Sequence, residues 1–490
     1  MPKDQLICGF GESKFMEVIG RKDIVTRIRK GLKSDKAELV AILGRRRVGK
    51  TFLISRVLKE NIVFQFTGLY QSNLKEHLER FSVNLTKSMK VPIPLKTPKS
   101  WFEAFDMLGE YISGLKTRRK KVIFLDEFPW MATNRSRFLT AFTDFWNGYA
   151  TQRTDLMVVI CGSSASWMIN KVLKSRGGLH NRVTDRILLQ PFTLAETKQF
   201  LRKKHIIISD MDITRLYMIM GGIPFYLEQL EKGESLVQAI DRICFSKNAL
   251  LRLEYDELLA SLFDHSIKHT AIIETLHRHP RGLVRGELLM KTKLQSGGGF
   301  TSILEELEAS DFIISTVPYG NKAKDRIYKL KDYYINFYLK YIHGSKPGKT
   351  KIWEKLATSP SYISWSGLAF ENVCVDHIDE IKKALNIDGI YSTSGAWHTR
   401  GDDEVPGAQI DLLIDRADNI INICEIKFTN NPYIITSDYA QKIRLKLAAF
   451  NHFTKSRKTL FPTMITTFGL VDNKHSKSLI QQSITMSGLF

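Results

Sequence analysis

Eight residues, Gly44-Arg45-Arg46-Arg47-Val48-Gly49-Lys50-Thr51, carry the spacing G-x-x-x-x-G-K-[ST] that suits a loop wrapped around phosphates. Gly44 and Gly49 let the backbone N–H groups of this stretch, Arg45, Arg46, Arg47 and Val48 included, turn toward a bound anion without a side chain in the way. Lys50 would reach the β- and γ-phosphates of ATP, and the Thr51 hydroxyl would ligate Mg²⁺. A second set lies far along the chain: Asp411, Glu425 and Lys427, with Glu371 upstream. Paired carboxylates hold a divalent cation that activates water and offsets charge on a phosphodiester, and a nearby lysine steadies the transition state.

The elements that must position the first set are legible. Leu39-Val40-Ala41-Ile42-Leu43 predicts a buried strand entering the loop, with a helix from Thr51 to about Leu58 leaving it. Val122-Ile123-Phe124-Leu125 predicts a second strand, running into Asp126-Glu127. Asp126 at its tip would join Thr51 around Mg²⁺, and Glu127 would polarise the attacking water. Leu156 to Cys161 predicts a strand between these two, and a serine at its tip, Ser164 or Ser163, would sense the γ-phosphate or orient water. Ser164 is the first choice. Among Arg176, Arg182 and Arg186, Arg182 is the candidate to reach a neighbouring subunit's nucleotide, which would make the assembly a homo-oligomer. Ile19-Gly20-Arg21 and the amphipathic helix through Ile24, Ile28 and Leu32 either cover the adenine or simply pack. From Pro191 to about Leu259 the pattern is helical, broken at Gly221-Gly222-Ile223-Pro224, as in a small lid over the nucleotide.

The second set depends on register. Gln409–Asp415 and Ile420–Lys427 read as strands joined by the turn Arg416-Ala417-Asp418-Asn419. A turn centred on Asp418 sets Asp411 opposite Glu425, within about 5 Å. Period-two alternation puts Glu425 and Lys427 on one face. Two carboxylates so close would repel unless Mg²⁺ or Mn²⁺ sat between them, making Asp411 and Glu425 the expected metal ligands. Glu371 would approach from a helix predicted over Leu368–Leu385, on the stripe shared with Val375 and Ile378. Glu-x-Lys recurs about twice by chance in a chain this long. Glu380-Ile381-Lys382 is such a copy, and only Glu425–Lys427 follows an apolar strand with an aligned Asp before it. Gln441 and Lys446 on the next helix either touch phosphate or, as the plainer reading has it, face solvent.

Composition sets limits. The 490 residues are 43% hydrophobic and 25% charged, which describes an ordinary globular chain of about three domains. No apolar run approaches the about 18 residues that would span a bilayer, and Met1-Pro2-Lys3-Asp4 lacks a signal peptide's apolar core. Five scattered cysteines, none spaced C-x-x-C, fit a reducing cytoplasm with neither a disulfide framework nor a zinc site. A net charge of +21 points to an acidic polymer, DNA above all, as partner. The excess is partly local, at Lys322–Lys331, Lys346–Lys351 and Lys442–Lys458.

Residues 265–345 read as helix, helix, helix, strand, basic loop (Pro318–Asp325), strand, the order of a winged helix. The third helix carries Glu305, Glu306 and Glu308, which oppose phosphate. DNA contact and protein packing both remain open for this module.

Ile19-Gly20-Arg21, the phosphate loop, Asp126-Glu127, Gly162-Ser163-Ser164 and Gly221-Gly222-Ile223-Pro224 together resemble the prokaryotic and archaeal AAA-type P-loop ATPases of the STAND-related clade. The resemblance implies a five-stranded parallel core with helices on both faces and a lid whose Pro224 closes against nucleotide. The strand pair with Asp411, Glu425 and Lys427, and Glu371 as helix acid, resembles the PD-(D/E)XK nucleases. Its fusion to the ATPase resembles archaeal-type ATPases carrying a DUF234-like domain. No Pro precedes Asp411, and Asp402-Asp403-Glu404 is foreign to that pattern. The expected fold class is α/β: an AAA-type core over 1–190, a helical lid over 191–262, a winged helix over 263–346 and a restriction-endonuclease-like domain over 347–490. The expected function is an ATPase that gates a metal-dependent DNA nuclease; the alternative is a nucleotide-switched DNA- or protein-binding regulator whose nuclease-like domain does not cut.

Overall fold

The computed structural model describes residues 18–174, 179, 181–263, 266–346 and 351–490. They divide into two compact units. Leu43 and the preceding residues, with Gly49–Leu189, form the first, while Gly44–Val48 and Gln190–Phe490 form the second.

The first unit is built on five parallel strands, β1 (Glu38–Leu43), β2 (Ile62–Thr67), β3 (Lys121–Asp126), β4 (Leu156–Cys161) and β5 (Asp185–Leu188), in the order β2-β3-β4-β1-β5. β1, β3 and β4 are buried at every residue, as unbroken apolar runs must be in a sheet covered on both faces. One layer of the core is aromatic: Phe66, Phe81, Trp101, Phe105 and Phe138 pack with centroids 4.8–6.3 Å apart, separations at which tilted and edge-on rings attract. Asn73 and Ser100 cap the helices Leu74–Met89 and Trp101–Gly114 that deliver Phe81, Trp101 and Phe105. This is the α/β, P-loop ATPase-like core that the sequence predicts.

In the second unit, the helices Leu194–Lys203, Asp210–Met220, Pro224–Leu227, Leu236–Ile240 and Leu250–Leu262 come first. The helices Ser266–Arg278, Arg285–Thr292 and Gly298–Ala309 come next, then β7 (Ile313–Thr316) and β8 (Ile327–Leu330). A two-residue strand, β6 (Leu283–Val284), joins them in the order β6-β8-β7; sequence reading misses it because two residues carry no periodicity.

The C-terminal sheet is mixed. β9 (Ser392–Gly401), β10 (Pro406–Arg416) and β11 (Ile420–Lys427) run antiparallel, and β12 (Thr459–Thr466) and β13 (Gln482–Thr485) continue parallel from β11. β10 and β11 pair Leu412 with Cys424 and Asp415 with Ile421, the register drawn from the turn at Asp418. Asp402-Asp403-Glu404 forms the turn between β9 and β10, where the Asp402 carboxylate accepts from the Glu404 and Val405 N–H groups at 3.0 and 2.8 Å.

One predicted helix is two. Pro360–Asp376 stops at His377 and Ile378–Ala384 begins anew, so Ile378 does not share a stripe with Glu371. His377 is the cause: its Nδ1–H donates to the Val373 carbonyl at 2.8 Å, while Nε2 accepts from the Leu194 N–H at 2.9 Å, satisfying the start of another helix. The buried face of Pro360–Asp376 is Tyr362, Trp365, Ala369, Phe370 and Val373; Glu371 sits beside it, half-buried.

Among the described residues, no helix is long and apolar enough to cross a membrane. Cys161, Cys244, Cys374 and Cys424 are buried and free; Cys8 lies outside the described residues.

Candidate functional site

β4 lies between β1 and β3, so the tips of three strands converge. Gly44 at φ 146° and Gly49 at φ 85° take backbone angles that favour glycine. Gly49 delivers the chain into the helix Lys50–Val57, one residue earlier than predicted. Lys50 is buried, and the Thr51 hydroxyl donates to the Asp126 carboxylate at 2.7 Å. A hydroxyl and a carboxylate oxygen at that separation are hard donors of the kind Mg²⁺ takes.

Glu127 follows Asp126 in the left-handed region, φ 46°, a conformation that costs a non-glycine residue about 1 kcal/mol or more and clusters at functional sites. Burial raises its carboxyl above the usual range, opposed by the Lys50 charge and reinforced by Asp126. One oxygen of that carboxylate accepts both the Ser163 N–H, at 3.1 Å, and the Ser163 hydroxyl, at 2.8 Å. Ser163, not the first-choice Ser164, therefore meets the acid. Ser164 leads into the short helix Ala165–Trp167, and its carbonyl accepts from the Met168 N–H at 3.1 Å. The tip of β4 must pass close to Pro129, because a Cβ on Gly162 would meet the Pro129 ring at 2.7 Å. That approach brings position 163 onto Glu127.

Two of the loop arginines, Arg45 and Arg47, are engaged through their side chains. Arg45 pairs with Asp332, both almost fully buried, and Arg47 pairs with buried Glu254 at 2.6 Å while lying over the Phe225 ring. Arg46 is half-buried. Arg182 is partly exposed and donates its N–H to the Leu179 carbonyl at 3.0 Å; Arg176 lies outside the described residues. Pro224 opens the helix Pro224–Leu227 behind Gly221 at φ 62°.

In the C-terminal sheet, the β9–β10 register shifts between Ile410 and Leu413, putting Asp411 at an irregularity, a common way of aiming a side chain at a site. Asp411 accepts from the Gln409 amide at 2.6 Å. Burial first, and the Asp411 charge second, push the Glu371 carboxyl up to about 7, while Lys329 and Lys427 pull it down and Glu425 adds to the rise. Asp411, Glu425, Lys427 and Glu371 thus share one electrostatic environment. Glu425 has its own partners. The Tyr439 hydroxyl donates to one oxygen at 2.6 Å and Lys446 pairs with the other. Lys446 is therefore engaged rather than free in solvent, and the Glu425 charge is partly offset from the helix Ser437–Thr454, a contact between distant segments that no local spacing announces. Lys427 lies 4.8 Å from the centre of the Tyr439 ring. Among the described residues, no group of three or more His, Cys, Asp or Glu side chains is placed to share one metal ion.

The third helix of the middle module also differs from expectation. Glu306 accepts from His269 at 2.8 Å and from Ser302 at 3.0 Å, so this acid is spent on packing against Ser266–Arg278.

Residues 19–230 match a family described as an ATPase domain predominantly from Archaea. Over 402 residues the chain is 26% identical to an uncharacterized protein of Methanocaldococcus jannaschii, covering 81% of this chain and 83% of that relative. Among solved structures, the Walker-type ATPase PABY2304 of Pyrococcus abyssi matches with a TM-score of 0.49 at 19% identity, over 66% of this chain and 96% of that one. The ORC2 protein of Aeropyrum pernix matches with a TM-score of 0.40 at 12% identity, over 75% and 98%. Residues 19–230 of this chain are thus an archaeal-type ATPase domain.

Proposed function

We propose that this ATPase acts on DNA, and that its C-terminal domain is a PD-(D/E)XK-like nuclease whose cutting is gated by nucleotide turnover. In this reading Lys50 and the loop backbone hold the phosphates, Thr51 and Asp126 hold Mg²⁺, and Glu127, oriented by Ser163, draws a proton from the attacking water. Pro224 closes the lid and Arg182 reaches a neighbouring subunit. The middle module is a winged-helix relative used as a spacer and wall rather than a groove reader. The observation that carries the nuclease half is the electrostatic grouping of Glu371 with Asp411, Lys427 and Glu425. A buried acid raised by a neighbouring carboxylate fits a divalent cation, so Asp411, with Glu371 or Glu425, would hold Mg²⁺ or Mn²⁺. When bound, such an ion lowers the pKa of water and offsets charge on the phosphodiester. Lys427 steadies that charge from the protein side.

The test is metal-dependent cleavage of plasmid and branched DNA by the full chain, with Asp411→Ala and Lys427→Ala as controls. Cutting by the intact protein and loss of at least ~100-fold in each variant is expected, in line with the loss of a group acting on the transition state. No cutting with either metal would sink this half.

A second reading has its own support. Lys446 and Tyr439 already satisfy both Glu425 oxygens, as in a fold that grips DNA without cutting it. Salt-sensitive DNA binding unchanged by Asp411→Ala, without cleavage, favours that regulator.

A further inference from the structure

A cavity of about 1100 Å³ opens within the second unit, bounded by residues of the middle module and of the C-terminal domain. Arg278, Lys329 and Lys340 come from the first; Glu371, Asp411 and Lys442 come from the second. The only carboxylates among its described lining residues are Glu371 and Asp411, and the surrounding charge is basic. Lys329 lines this cavity together with Glu371 and Asp411, although it stands on β8, in a different module. Trp365 lines the same space, is 6% exposed, and its indole N–H has no acceptor among the described residues. A buried donor without a partner is costly, so the position is suited to an incoming acceptor.

Size then selects the guest. Pockets for drug-sized molecules, comparable to one nucleotide, run about 300–1,000 Å³, so this cavity holds about one to three nucleotides. A duplex, whose grooves alone are about 7.5–8.5 Å deep, is too bulky to be walled in on several sides by a space of this volume. Basic walls with an aromatic residue are the usual means of holding single strands.

We propose that this cleft takes a single DNA strand, with Lys329 and the Trp365 N–H holding its phosphates over Glu371 and Asp411. Strand binding stands apart from the nuclease reading, and only the cleavage of a bound strand rests on it. Lys329 is thereby a substrate-binding residue supplied by the middle module, and the basic face of that module is the β8 side rather than its acidic third helix.

The experiment compares the full chain with Lys329→Ala, Lys329→Arg and Trp365→Phe on a 30-nucleotide strand, a blunt duplex of that sequence and the same duplex with a single-stranded tail. Binding is followed by fluorescence anisotropy across salt, and cleavage is followed with Mn²⁺. The strand and the tailed duplex should bind at least ~10-fold tighter than the blunt duplex. Lys329→Ala should weaken strand binding ~10-fold and lower the salt slope by about 1, and Lys329→Arg should restore both. Trp365→Phe, which keeps a ring and removes the donor, should weaken it ~3-fold or more. Equal binding of strand and blunt duplex, or no effect of Lys329→Ala, overturns the single-strand cleft even if duplex is cut. Tight strand binding that depends on Lys329 without cleavage supports the cleft and overturns only the nuclease reading.

Discussion

Ser163 gives two hydrogen bonds to one oxygen of Glu127, from its N–H at 3.1 Å and its hydroxyl at 2.8 Å. The acid that would draw a proton from water is thus aimed by the strand tip lying between the two nucleotide strands. Ser163→Ala removes the hydroxyl and leaves the backbone donor, so ATP turnover should fall about 10-fold, the low end of what a positioning hydrogen bond contributes. Nucleotide affinity should change less than about 3-fold. Ser164→Ala should leave both rates near the parent. Phosphate release and a fluorescent-nucleotide titration measure the pair; equal losses at the two serines would remove Ser163 from this role.

At the second site, Lys446 competes with any cation for Glu425. Lys446→Gln deletes one positive charge while keeping a hydrogen-bond donor, so the domain should bind Mn²⁺ more tightly, by about 1 kcal/mol or ~5-fold. Isothermal titration on the full chain reads this directly. Weaker Mn²⁺ binding in the variant would mean that Glu425 takes no part in holding a cation.

Gly222 offers a prediction independent of function. A Cβ there would lie 1.8 Å from the Phe192 carbonyl oxygen, and the Gly222 carbonyl itself accepts from the Phe192 N–H at 2.7 Å. Neither backbone can move without breaking that bond. Gly222→Ala should therefore cost about 3 kcal/mol or more, read as a lower midpoint in urea. An unchanged midpoint would show that the two segments separate freely.

The pair of Arg153 and Lys121 with Asp155 gives a pH dependence. The Arg153 hydrogen bond, first among the causes, holds the Asp155 carboxyl down to about 2. A carboxylate lowered in the folded state adds stability that is fully present above its unfolded pKa of about 3.9 and disappears as pH falls toward 2. A shift of this size corresponds to about 2.5 kcal/mol. Because Asp155 is 35% exposed, solvent screening leaves about 1 kcal/mol. Asp155→Asn should lower thermal stability at pH 6 and converge with the parent near pH 2. A constant gap across pH 2–6 would assign the loss to packing instead.

Much of the first unit could be read from residue order. The run Leu39–Leu43, the glycine spacing and Val122–Leu125 ending in Asp126 are local patterns, and local backbone preference is enough to make a strand, a turn and a helix start of them. The C-terminal hairpin register was likewise legible from its turn, because a two-strand pairing is settled within about twenty residues. β9, β12 and β13 were not. Ser392–Gly401 alternates weakly, and β12 and β13 join their sheet through parallel pairing with β11, which is non-local.

The sequence by itself determined that a glycine-rich loop follows one buried strand and Asp-Glu ends another, and it determined the register in which β10 pairs with β11. Only the tertiary structure decided which side chains those acids meet. Ser163 reaches Glu127 because Gly162 fits tightly under Pro129. Lys446 and Tyr439 reach Glu425 across 21 and 14 residues of chain, and Lys329 faces Glu371 from another module. Charge–charge and hydrogen-bond energies depend on distances through space, and spacing along the chain fixes those distances only within a helix or a hairpin.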